Sequence, residues 1–130
     1  MRTLLPPGWP RPKGYANGIS ATGRLIVTAG VVGWDEAEHF ASPSLVDQFE
    51  QALRNILAIL AEDGAGPEHI VRMTCYVIDL DAYRRHLPQI GAAWQRVMGR
   101  HYPAMALVAV NGLVEPAAEI EIEATAVVPE

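Results

Sequence analysis

PAMALVAVNGLVEPAAEIEIEATAVV, residues 103–128, is the stretch whose reading decides the fold. Met105–Val110 is a near-continuous apolar run closed by Asn111 and Gly112, the pattern of a strand buried on both faces. Glu119–Val127 alternates instead. Glu119, Glu121, Glu123 and Thr125 fall on one face, and Ile120, Ile122, Ala124 and Ala126 on the other. By spacing alone, three carboxylates in a row read as the solvated face of a half-buried strand. The alternative is that one of them does chemistry.

Working outward, His69–Asp79 is another strand, with Val71, Met73, Cys75 and Val77 on one face and Ile70, Arg72, Thr74, Tyr76 and Ile78 on the other. Cys75 sits on the apolar face and reads as a small buried hydrophobe rather than a nucleophile. Asp81 suits the cap of a helix over Ala82–Met98, closed by Gly99, with Leu87, Ile90, Trp94 and Val97 as its inner stripe. Pro88 interrupts that helix, which predicts a kink or a restart.

Upstream, Ser42 and Pro43 suit the cap and first position of a helix. Leu45, Phe49, Ala52, Leu53, Ile56, Leu57 and Leu60 give it a wide apolar face. Ile19–Ala21 and Arg24–Ala29 read as strands joined by a hairpin turn at Thr22 and Gly23. Gly30 and Gly33 suggest a bulge, or a place where another group approaches the backbone closely. Residues 1–14 form an extended arm rich in proline, in which Trp9 is expected to pack on the body, and residues 15–130 form one domain.

The chain has 130 residues, a net charge of −5 and one cysteine. Its ten Lys and Arg are dispersed rather than gathered into a basic footprint, which argues against nucleic acid as a partner. A single cysteine allows no disulfide within the chain and no cysteine-based metal site, and His39, His69, His86 and His101 have no ligand spacing, so no metal is expected. No apolar run reaches the ~18 residues of a membrane helix. Prolines stand where an export signal would have its apolar core, so a cytoplasmic location is expected. No phosphate loop or nucleophile elbow is present. Two helices cannot cover both faces of a sheet. They are expected on one face of a mixed sheet in an α+β domain, with the other face covered by a copy of the same chain.

Gly14-Tyr15, Leu25–Gly30, Leu53-Arg54-Asn55, Val77–Leu80, Tyr102-Pro103-Ala104 and Ile120–Ala124 together carry a resemblance from about Tyr15 onward. The chain resembles the RidA/YjgF family of enamine and imine deaminases, also known as L-PSP endoribonucleases or translation inhibitors. The resemblance implies a chorismate-mutase-like fold and a homotrimer with small-molecule pockets at the subunit interfaces, without a cofactor. It implies hydrolysis of an enamine or imine to a ketone and ammonia, with Glu121 positioning or activating water and Tyr15 in the pocket.

Four positions depart from the family pattern. Met105 stands where the family has the arginine that grips the substrate carboxylate, and a thioether cannot replace a bidentate ion pair. Leu107 replaces a cysteine whose backbone carbonyl binds the water in relatives. Gly91 falls at or near a pocket asparagine, and Val31 follows Gly30 where a glutamine is common. These positions imply a more apolar pocket and a substrate other than a small 2-imino acid such as 2-iminopropionate. Arg24, Arg96 and Arg100 are the candidates for a replacement cation. Two other readings are a catalytically silent trimer that binds a small metabolite, and an endoribonuclease or translation inhibitor. The acidic charge and the lack of a paired set of histidines oppose the last of these.

Overall fold

The computed structural model describes residues 1–130. Its strands are β1 (Arg2–Leu4), β2 (Gly18–Ser20), β3 (Arg24–Val27), β4 (Val31–Val32), β5 (Ile70–Val77), β6 (Ala104–Ala109) and β7 (Ile120–Val128). Its helices are α1 (Leu45–Ala61), α2 (Leu80–Arg85) and α3 (Leu87–Met98). The main sheet runs β3–β7–β5–β6, and β4 also pairs with β7. Only the β5–β6 pair is parallel, so the sheet is mixed as expected. A parallel pair needs a long crossover, which α2 and α3 supply.

β7 is central because its alternation is satisfied on both sides. Ile120, Ile122, Ala124 and Ala126 are buried in the same apolar cluster as Phe49, Leu53, Ile56 and Leu60 of α1 and Ile90, Ala93 and Trp94 of α3. Gln48 fixes where the strand begins. Its amide nitrogen donates to the carbonyls of Ser42 and Ala117, and its side-chain oxygen accepts from the Glu119 N–H at 2.7 Å. Three bonds satisfy a polar side chain that is fully buried. Asn55 ties the other end of α1 to the sheet by donating to the Val32 and Trp34 carbonyls.

Several expectations change. β6 is an edge strand, paired along its length with β5 and met on its other side only by an isolated bridge from Ala16 to Ala104, and Val108 and Ala109 are exposed. Its apolar run therefore lies half on the core and half on an open sheet face, which period-two patterning cannot separate from a fully buried strand. In β5 the buried residue at the start is Ile70, not Val71, because a register shift between Ile70 and Arg72 inserts a residue and turns the first side chain over. Ser44, not Ser42, caps α1 and accepts from the Asp47 N–H; Ser42 instead receives the Ser44 N–H and donates to the Asp47 carboxylate. Asp79, not Asp81, caps the second helix, and Pro88 resolves into a restart, so that two expected helices become three.

β2 and β3 do not form a hairpin. β2 pairs with β1, so part of the proline-rich arm is a strand, while β3 pairs with β7. At the turn Gly23 has φ +149°, and a Cβ there would stand 2.2 Å from the Val128 carbonyl oxygen. That close approach of β7 carries the chain out of β2 and into the main sheet.

Candidate functional site

Met105 and Leu107 pair with Met73 and Cys75 of β5 and share their helix-facing side of the sheet. Tyr15 reaches the same place through its neighbour. The Ala16 N–H donates to the Pro103 carbonyl at 3.0 Å, and Ala16 bridges to Ala104 at the start of β6. From the other side Phe49, Tyr83, Leu87, Ile90, Gly91 and Trp94 close a cavity of about 410 Å³, within the size range of small-molecule sites. Trp94 stacks on Tyr102 with ring centroids 5.9 Å apart and planes within 9°, and its indole nitrogen donates to the His101 carbonyl. Tyr15, Gly91, Met105 and Leu107 are thus brought together. The cavity is apolar, and Lys13 is the only charged residue at its wall.

Glu121 and Gly30 lie elsewhere. Glu121 pairs with Tyr76 and Val32, and its neighbours Ile120 and Ile122 point into the core, so its carboxylate stands on the open face of the sheet. A Cβ on Gly30 would meet the Glu121 Oε2 at 2.6 Å. The close approach expected at Gly30 is made by this carboxylate, and the one at Gly33 by the α1 backbone at Gln48. Val31 is 9% exposed, in the core beside Ile122, and with Gly30 it edges a second hollow lined by Asp35, Glu36 and Glu38. Within one chain, then, the acid and the Tyr15 pocket sit on opposite faces of the sheet.

The Glu121 carboxylate has no hydrogen bond or ion pair within the chain. Glu123 is different and is not simply solvated, because it accepts from the Tyr76 hydroxyl at 2.6 Å. That bond, with burial and the charges of Glu123 and Glu121, pushes the Tyr76 hydroxyl above its ordinary pKa.

Of the candidate replacement cations, Arg24 is held by Asp63, and Arg96 by Glu50, which also holds Arg54. Arg96 and Arg54 together lower the pKa of Glu50. Arg100 makes no ion pair. Lys13 was not singled out by the sequence; the signal was its place two residues before Tyr15, across Gly14 at φ +80°. No cluster of His, Cys, Asp and Glu is arranged to hold a metal, and no helix is long and apolar enough to cross a membrane.

Burial pushes the Cys75 thiol up to about 12 and the Tyr83 hydroxyl, in the cavity wall, also to about 12. The sign follows from the unfolded chain, where the thiol ionises near 9. Below pH 9 both states keep the proton. Above it only the unfolded state releases it, so stability falls as pH rises from 9 towards 12. We expect a loss of about 1 kcal/mol between pH 9 and pH 10 from this thiol alone. Urea titrations across that range, with Cys75→Ala as the comparison, should show a shallower decline in the variant.

The Endoribonuclease L-PSP family model matches residues 10–128. The chain belongs to this RidA/YjgF family. The chain is 29% identical over 118 residues to a RutC family protein of Pyrococcus abyssi, covering 90% of this chain and 89% of that one. Among solved structures it is similar to YyfB of the Rid family from Yersinia pestis, whose function is unknown, at 28% identity, 98% coverage of both chains and a TM-score of 0.85. The YjgF protein of E. coli matches at 26% identity, 98% of both chains and a TM-score of 0.71. The mixed sheet with its helices on one face is therefore the RidA/YjgF fold.

Proposed function

We propose that the protein hydrolyses a reactive enamine or imine to a ketone and ammonia, in the cytoplasm, as a homotrimer whose sites lie between copies. The observation that carries this reading is the Glu121 carboxylate, held against the Gly30 backbone without an ion-pair or hydrogen-bond partner in its own chain. A carboxylate left unpaired on an open sheet face is free to act on a neighbouring copy's ligand. In the proposed reaction it takes a proton from water as the oxygen adds to the imine carbon. It passes that proton to nitrogen to give a carbinolamine, then carries the carbinolamine hydroxyl proton to nitrogen as the carbon–nitrogen bond breaks, leaving the ketone and ammonia. The Leu107 carbonyl is the second water-binding group, and the Tyr15 hydroxyl lines the entrance. The acid and the apolar cavity act together only if a second copy brings its own cavity to the open face.

Met105, Phe49, Ile90 and Leu107 make the cavity fit a bulky apolar side chain better than a methyl group. With imines generated in place by an amino-acid oxidase, ammonia release from the leucine- and phenylalanine-derived imines should exceed that from the alanine-derived one by about tenfold or more. Release from none of them would favour the second reading, a silent metabolite-binding trimer, for which Met105 in place of an arginine is the supporting observation. RNA cleavage gains no support from the histidines. His69, His86 and His101 are each engaged with backbone groups.

A further inference from the structure

A groove of about 930 Å³ adjoins the apolar cavity, between the N-terminal arm and the end of α3. The two share Gly14, Tyr15, Gln95 and Tyr102, so one molecule can occupy both. Their electrostatics differ. The cavity wall is mainly apolar, with Lys13 its one charged residue, whereas the groove carries Arg11 and Arg100. No carboxylate lines either space, and none of these three cations belongs to an ion pair. The other basic residue there, His101, is already bonded through Nε2 to the Ile70 carbonyl at 2.6 Å. Free cations beside an apolar cavity, with no acid among them, are arranged for an anion attached to an apolar body.

We propose that the ligand of this site has a large apolar or aromatic body seated against Met105 and Trp94, and an anionic group set apart from it, held by Arg11 and Arg100 in the adjoining groove. This rests on reading the apolar cavity as the ligand site. The anion would lie several bonds from the reacting carbon, unlike the carboxylate of a small 2-imino acid, which adjoins it. The loss of an arginine at position 105 is then a change of where charge is recognised, from the floor of the cavity to its annex.

The test is binding, so it does not depend on turnover. The probes are 4-phenylbutyrate and its neutral amide, titrated by calorimetry into the full chain at low and moderate salt. The acid should bind about fivefold or more tightly than the amide, the size of one or two solvent-exposed ion pairs, and the difference should shrink with salt. Arg11→Gln with Arg100→Gln should abolish the preference while leaving amide binding unchanged. Arg100→Glu should reverse it. Both residues are exposed, and a thermal midpoint measured on each variant separates lost binding from lost fold. Equal binding of acid and amide, no binding of either, or a preference that survives both variants would overturn the proposal. An acid preference lost in the variants, in a protein that releases no ammonia, would uphold the ligand class and remove the deaminase reading alone.

Discussion

Glu121→Ala should lower ammonia release at least about 100-fold, the low end of what a positioned acid–base group contributes, with its thermal midpoint close to that of the parent. Both halves of that expectation come from the geometry. The carboxylate is half-buried on β7, touches the Gly30 position, and makes no bond that the fold would miss. Removing it leaves Ile120 and Ile122 in the core and the pairing with Tyr76 and Val32 intact. Glu123→Ala is the control on the same face. It loses the 2.6 Å bond from the Tyr76 hydroxyl but should keep most of the activity. Activity unchanged in Glu121→Ala would assign the wrong acid. Equal loss in both variants would point to the charge of the face rather than to one residue.

Phe49→Ala should cost about 3–5 kcal/mol, the range for truncating a buried aromatic ring, against a total of about 5–15 kcal/mol for a domain of this kind. Phe49 is 1% exposed, lies where α1 meets α3, stacks against Trp94 at 6.5 Å and forms part of the cavity wall. Its loss would leave Trp94 without one of its two ring neighbours and join the cavity to the core. Urea unfolding should show a midpoint lower by more than 1 M, given the usual slope of about 1–3 kcal/mol per molar. A cost under 1 kcal/mol would mean that the cavity wall is not part of the load carried by the core.

The sequence made β7 legible because one side of that strand is packed and the other is not, which is the condition for clean alternation. It made the core face of α1 legible for the same reason. β6 was misread because its two faces are both apolar, one against the helices and one against nothing in this chain, and an apolar run does not tell these apart. The β2–β3 hairpin failed because Thr22-Gly23 bends the chain without closing a hairpin turn, against Val128, more than a hundred residues away. Caps were missed by two residues where two equivalent acceptors stood close together, Ser42 with Ser44 and Asp79 with Asp81. At the site, Gly30 carried a signal of close approach, but only the structure shows that the approaching group is Glu121, which the sequence offered separately as the acid. Lys13, Arg11 and the aromatic wall of Tyr83 and Trp94 were not legible as site residues, because only the fold brings the arm, α2 and α3 to one cavity.

The separation of Glu121 from the Tyr15 cavity makes subunit mixing the most direct measurement. Glu121→Ala removes the acid. Gly91→Phe fills the cavity from a position where a side chain meets open space, and leaves β7 untouched. Each variant alone should release no ammonia from the bulky imines. Co-expressed in equal amounts and assembled at random, they should regain about a quarter of the parent activity, because one site in four would pair an intact acid with a neighbour's intact cavity. A mixture as inactive as its components would contradict a site shared between copies.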